Sequence, residues 1–243
     1  MRNKLLVVVA FALVMAATAS PLFAQTAITV TETMYILPKQ GMADQFEAAI
    51  KAHDTKFHPD GPYVAALRRV DYGEKAGWYV WIMGPTTYAS IDSRPDKGAH
   101  DDDWSKNVEP TIAEYGATNL WETDAENSFG RDIMLKSGHY DTWAVDVKRG
   151  EMTRFNEIIG KVKKTYESMG DRAFLVYRNP IHTANGADVA ILTSYTSMAD
   201  WSADWKVKEA YEKLNGGGSW QKMLDTWNEV IVDYNEELRS FVK

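Results

Sequence analysis

The chain repeats itself, and that repetition constrains its fold more than any other feature. Gly41-Met42-Ala43-Asp44-Gln45-Phe46-Glu47-Ala48-Ala49-Ile50 aligns with Gly150-Glu151-Met152-Thr153-Arg154-Phe155-Asn156-Glu157-Ile158-Ile159, sharing glycine, phenylalanine and isoleucine at the first, sixth and tenth positions. Each copy follows an apolar run, residues 34–39 and 143–149. Each is followed by two more strand-like runs, 63–70 and 78–83 in one half, 174–178 and 189–193 in the other. A Trp-led stripe closes each half: Trp104, Val108, Ile112 and Tyr115 in one, Trp220, Leu224, Trp227 and Ile231 in the other. Order and spacing recur although identities are few, which is how a duplicated supersecondary unit reads.

Helical spacing puts Met42, Phe46, Ile50, His53 and Phe57 on one face, with Phe155, Ile159, Val162 and Tyr166 as counterparts. Gly41 and Gly150 sit at strand-to-helix turns that favour permissive backbone angles. Asn185-Gly186 predicts a hairpin, with 71–77 its longer equivalent. Pro110 is expected to start or kink the second helix of the first half. Residues 226–242 suit either one long helix or a helix followed by a strand, and the comparison with 117–124 favours the strand.

The N-terminus carries a different signal. Arg2 and Lys4, the apolar run 5–17 and the small residues before Gln25 form the layout of a secretory signal peptide over residues 1–24. The run is shorter than the ~20 apolar residues that span a bilayer, so no membrane attachment is expected after cleavage. The remaining length suits two units of about 100 residues each. They are placed at 26–124 and 138–243, with a polar linker at 125–137. There is no cysteine, so the core must hold the fold without disulfides. The formal net charge of −7 becomes more negative once Arg2 and Lys4 leave, which argues against a nucleic-acid partner.

Two β-α-β-β-α-β units give an α+β protein of two ferredoxin-like repeats. Each sheet has helices on one face and leaves the other bare, so the sheets are expected to pack together. On this element order and the Gly-x-x-x-x-Phe-x-x-x-Ile helix start, the chain resembles the dimeric α+β barrel superfamily in tandem, single-chain form. That resemblance implies relatives among antibiotic-biosynthesis-type monooxygenases, haem-degrading enzymes, chlorite dismutase-like haem proteins and small binding proteins. Its haem-binding members use an axial histidine on a helix. The second half has only His139 and His182, at a strand start and in a hairpin, so no haem is expected there, and nothing in the first half calls for one.

The candidate chemistry lies in the first half. His53 occupies a buried stripe where its counterpart is Val162, and reads as a satisfied core histidine or an acid–base group. Glu32, on the otherwise apolar face of Val30, Met34 and Ile36, recurs as Asp141 beside Trp143 and Val145. A carboxylate so placed has a raised pKa unless paired. Glu32 and His53 together would make an acid–base pair. The opposite face, with Thr31, Thr33 and Tyr35 against Tyr140, Thr142 and Ala144, is expected to line the barrel interior. Arg68 and Arg178 occupy equivalent positions, either as a fork for a carboxylate ligand or as ordinary ion pairs. Trp81 and Trp104 would supply aromatic walls for a ligand. The run His100-Asp101-Asp102-Asp103 reads as a helix N-cap, and no metal-ligand or cofactor fingerprint is seen, so neither metal nor cofactor is expected. The leading expectation is an exported protein that binds a small molecule between the sheet and helices of the first unit through Glu32, His53, Tyr35, Arg68, Trp81 and Trp104. The alternatives are a cofactor-independent monooxygenase and a structural or partner-binding protein.

Overall fold

The computed structural model describes residues 28–95, 97–182 and 186–242. The predicted signal peptide and Asn185 of the predicted hairpin turn lie outside them. Among the described residues the strands are β1 (Val30–Pro38), β2 (Ala65–Tyr72), β3 (Tyr79–Thr86), β4 (Ile112–Thr123), β5 (His139–Val147), β6 (Phe174–Arg178), β7 (Val189–Tyr195) and β8 (Ile231–Phe241). The helices are α1 (Ala43–Phe57), α2 (Tyr88–Asp92), α3 (Ala99–Asp103), α4 (Arg131–Ser137), α5 (Met152–Met169), α6 (Met198–Trp201), α7 (Val207–Asn215) and α8 (Ser219–Val230).

All eight strands form one closed antiparallel barrel in the order β1-β3-β2-β8-β5-β7-β6-β4. Two seams join the N- and C-terminal halves. The β2–β8 seam pairs Arg68 with Phe241 and Val70 with Arg239, and the short β4–β6 seam pairs Glu122 with Arg178 and Thr123 with Tyr177. Closure removes the free strand edges that would otherwise invite aggregation. The sheets therefore join edge to edge through hydrogen bonds, a tighter arrangement than two stacked layers.

Strand alternation separates inside from outside. Ile36 packs outward against Phe46 and Ile50 of α1, and Val145 and Val147 pack outward against Phe155, Ile158 and Ile159 of α5. These two helix-on-sheet clusters are larger than the third, around Met134 and Tyr140. The turns into α1 and α5 place Gly41 at φ +77° and Gly150 at φ +89°, angles that a side chain at either position would strain.

Two expectations need correction and a third is met. The stripe from Trp104 to Tyr115 is not one helix. After α3 come a π-helical turn (Trp104–Val108) and a 3-10 turn (Glu109–Thr111), and Ile112 already belongs to β4. Pro110 lies where helical structure ends, and the β-branched and aromatic residues beyond it favour a strand. The polar linker 125–137 contains α4, which buries Met134. At the C-terminus the favoured strand is present, with β8 following α8 directly.

Candidate functional site

The barrel interior carries the expected hydroxyl face. Thr31, Thr33, Tyr35, Tyr140, Thr142 and Ala144 line a cavity of about 110 Å³. Beside it β8 buries two residues that sequence reasoning missed, Glu237 and Arg239, of which Arg239 lines the cavity. Arg239 donates to Glu237 Oε2 from Nε at 2.9 Å and from a terminal nitrogen at 2.7 Å, and Tyr35 donates its hydroxyl to the same oxygen at 3.0 Å. Burial pushes the Tyr35 phenol up, so it stays protonated. This network fills one part of the interior with satisfied polar groups.

Arg68 does not join Arg178 in a fork. Its guanidinium lies over the Phe241 ring at 3.8 Å and donates to the Leu67 carbonyl at 2.9 Å. Arg178 instead grips Asp124, at 2.6 and 2.8 Å. Nor do Glu32 and His53 share a hydrogen bond. Glu32 takes a two-pronged ion pair from Arg94, at 3.1 and 2.7 Å, while Asp103 Oδ2 lies 2.9 Å from His53 Nδ1.

Around His53 the structure assembles a cluster that the sequence did not announce. His53 is on α1, His58 is the residue that ends it, and His100 lies on α3. His100 Nε2 stands 3.3 Å from His53 Nε2 and 3.1 Å from His58 Nε2. Each Nδ1 has an oxygen: Asp103 for His53, the Tyr63 carbonyl at 2.7 Å for His58, and Asp101 at 3.2 Å for His100. Trp104 and Trp81 wall the cluster, with ring centroids 5.1 Å from His53 and 5.3 Å from His58. Of the predicted site residues, His53, Trp81 and Trp104 thus come together, whereas Glu32, Tyr35 and Arg68 face elsewhere. Burial lowers the pKa of both His53 and His58, that of His58 to about 4. The acidic run does not cap α3: the capping residue is Gly98, and no side chain accepts there. His58 and His100 were passed over as parts of a turn and a cap.

Between α1 and β2, Ile50, Asp54, His58, Leu67 and Arg68 line a cleft of about 330 Å³, and a larger, mostly aromatic cleft between sheet and helices lies in the C-terminal half. It encloses about 420 Å³, with Asp141, Trp143, Ile191, Thr193 and Tyr234 from the strands below, Tyr166 from α5, and Trp220, Leu224 and Trp227 from α8. Trp143 stacks on Tyr234 at 4.9 Å and meets Trp227 edge-on at 6.1 Å. Among these apolar walls Asp141 is 6% exposed. Its Oδ2 accepts from Trp143 Nε1 at 3.1 Å, and its Oδ1 accepts no hydrogen bond. Burial first, and then the negative charge of Glu236, push its pKa up to about 7. Asp141 is the counterpart of Glu32, but Glu32 has Arg94 beside it, and among the described residues Asp141 has no cation paired with it in a salt bridge.

No family model matches the chain, and no curated protein matches it. Solved structures do. A candidate monooxygenase from Fusobacterium nucleatum superposes with a TM-score of 0.57 at 14% identity, covering 90% of this chain and 94% of that one. One from Lactobacillus acidophilus gives 0.54 at 10%, covering 87% and 93%. A mutant chlorite dismutase from Candidatus Nitrospira defluvii gives 0.56 at 6%, covering 90% and 93%. The fold is therefore that of the dimeric α+β barrels, built here from a single chain. At such identities the likeness extends to fold alone, so function has to be argued from the site.

The resemblance to chlorite dismutase-like haem proteins makes haem one candidate ligand for the cleft. Its lining contains no histidine, and burial raises the Tyr166 phenol far above the range in which it ionises. These residues do not fit a haem held by an axial imidazole or phenolate.

Proposed function

We propose that the protein binds a small, largely aromatic molecule carrying one polar group in the C-terminal cleft, with Asp141 as the group that meets it. The observation that carries this reading is the unpartnered Asp141 Oδ1 in an aromatic cleft of about 420 Å³. Aromatic rings supply apolar area and stacking surface, while one buried polar group in an apolar pocket orients the ligand. Placing the pocket here moves it from the first unit, where it was expected, to the second.

Enzymatic turnover is the second reading, favoured by the raised pKa of Asp141. A carboxyl that titrates near neutrality in a cleft is suited to general acid–base work, and two of the similar structures are candidate monooxygenases. In that case Asp141 would take a proton from a substrate carbon, the resulting anion would be oxidised by molecular oxygen to a C–O–O–H group that takes the proton back, and loss of water from that group would leave a carbonyl. Two further inferences complete the picture. The halves are copies of one ferredoxin-like unit, supported by the matching orders β4-β1-β3-β2 and β8-β5-β7-β6 around the barrel. The N-terminal segment directs export, supported by its signal-peptide layout.

Calorimetric titration with 1-naphthol and with 1-naphthoate at pH 8 tests the binding reading. Naphthol, which can donate to the ionised Asp141, is expected to bind with a Kd of about 10–100 μM. Naphthoate, repelled by Asp141, is expected to bind about tenfold more weakly or not at all. Trp143→Ala should weaken naphthol about tenfold. Equal binding of the two probes, or none of either, would remove the proposal.

A further inference from the structure

Three imidazoles bring their Nε2 atoms together around His100, an arrangement that calls for either a shared proton or a cation among them. Hydrogen bonding on the far side of each ring fixes which nitrogen carries the proton. Asp103 Oδ2, the Tyr63 carbonyl oxygen and Asp101 Oδ1 are acceptors, so Nδ1 of His53, His58 and His100 is the donor in each case. In each neutral ring Nε2 is then a bare lone pair. His100 Nε2 sits 3.1 Å from His58 Nε2 and 3.3 Å from His53 Nε2, and candidate ligand nitrogens of the three rings lie within 4.8 Å of one another. Lone pairs at that range repel unless something positive lies among them.

We propose that His53, His58 and His100 form a binding site for one divalent first-row transition metal, with zinc the representative ion. Zinc–imidazole bonds of about 2.0–2.1 Å in tetrahedral geometry separate neighbouring ligand nitrogens by about 3.3 Å, and the two measured Nε2 separations are 3.1 and 3.3 Å. An oxygen acceptor behind each ligating histidine orients the ring and strengthens it as a donor, and all three rings have one. Asp103 is itself held by Asn107, which donates to its Oδ1 at 3.0 Å. The surroundings also suit a metal. His53 and His58 are buried, and Phe57, Trp81 and Trp104 pack around the rings, so water competes poorly for the nitrogens. Only His100 is partly exposed, which leaves an entry path and a fourth coordination position for water.

The site does a structural job whatever else it does. His53 and His58 belong to α1 and its last turn, while His100 sits in the connection between β3 and β4. An ion bound to all three ties α1 to a segment otherwise made of short helical turns, in a chain that has no cysteine for disulfides.

The test uses the full chain without a histidine tag, stripped with EDTA and dialysed. Zn²⁺ is titrated by calorimetry, and Co²⁺ by visible absorption and by quenching of tryptophan fluorescence, since Trp81 and Trp104 lie beside the rings. One ion per chain with submicromolar Kd is expected, together with a rise in Tm on adding Zn²⁺ and the visible bands of four-coordinate Co²⁺. His100→Ala, at the most exposed ligand, should weaken Zn²⁺ at least 100-fold, and Asp103→Asn about 10–100-fold as a positioning residue. His182→Ala, on an exposed histidine elsewhere, is the control and should bind as the parent does. Circular dichroism checks that each variant folds. Absence of stoichiometric binding, or binding by His100→Ala equal to the parent, would overturn the site. Titration of one shared proton among the imidazoles with no metal response would overturn it equally. Trp143→Ala should bind Zn²⁺ normally, so failure of this site and failure of the cleft are told apart.

Discussion

At the scale of single residues, the contrast between Glu32 and Asp141 is the most informative. The two hold equivalent strand positions, and their alternation with apolar neighbours was legible in the sequence. Whether each would find a cation was not, because Arg94 comes from a loop whose path depends on the whole fold. The difference has a consequence for stability. Asp141 is held at about 7 when folded against 3.8 when free. Between those values the folded state binds more protons than the unfolded one, so stability is full below about pH 4 and falls as pH rises through 7. Glu236 on β8 pushes it further up, the indole N–H groups of Trp143 on β5 and Trp201 on α6 pull it down, and with Tyr166 on α5 and Tyr195 on β7 also facing it none of these groups supplies a positive charge. Asp141→Asn is therefore expected to leave stability nearly unchanged at pH 4 and to raise it by about 1–3 kcal/mol at pH 8. Urea denaturation of both proteins across that range checks this, and parallel curves would contradict it. The histidines teach the same lesson. His53 was singled out because it interrupts an apolar stripe, whereas His58 and His100 lie in a turn and an acidic run, and only the packing of α3 against α1 brings the three together.

At the scale of elements, strand alternation was the most dependable signal. It placed Thr31, Thr33 and Tyr35 inside and Met34 and Ile36 outside, and the stripe of Phe46, Ile50 and His53 on α1 is buried in full. Where two periodicities compete, the sequence misleads. Trp104, Val108, Ile112 and Tyr115 have helical spacing, yet the proline at 110 cannot donate a hydrogen bond, and the residues after it pair with β1. The same tension in residues 226–242 resolves at Ile231, where α8 gives way to β8. That strand matters because it brings Glu237 and Arg239 into the interior. Arg239→Met would leave Glu237 buried without its cation and is expected to cost about 3–5 kcal/mol. Adding Glu237→Met should recover most of the loss, because two apolar groups replace a matched pair. Chemical denaturation of the single and double variants measures this, and additive losses would show that the pair is not coupled.

For the whole molecule, one barrel wall is put to two uses. The strand orders of the halves match, and the seams β2–β8 and β4–β6 make them one body. On the N-terminal side α1, the tryptophans and the histidine cluster leave a smaller cleft, of about 330 Å³, between α1 and β2. On the C-terminal side α5 and α8 stand over an aromatic cleft with the Asp141 carboxyl at its floor. The element order foretold the shared wall, but not which side would carry the larger, aromatic cleft, since that depends on how the segments between β3 and β4 and between β7 and β8 pack. Tryptophan distinguishes the sides: Trp81 and Trp104 belong to one, and Trp143, Trp205, Trp220 and Trp227 to the other. The most direct measurement is a two-dimensional ¹⁵N NMR titration with 1-naphthol, following the indole N–H signals assigned by substitution. Movement of Trp143, Trp220 and Trp227 with Trp81 and Trp104 unmoved is the expected result; movement of Trp81 and Trp104 alone, or of no indole, would contradict the placement of the ligand site.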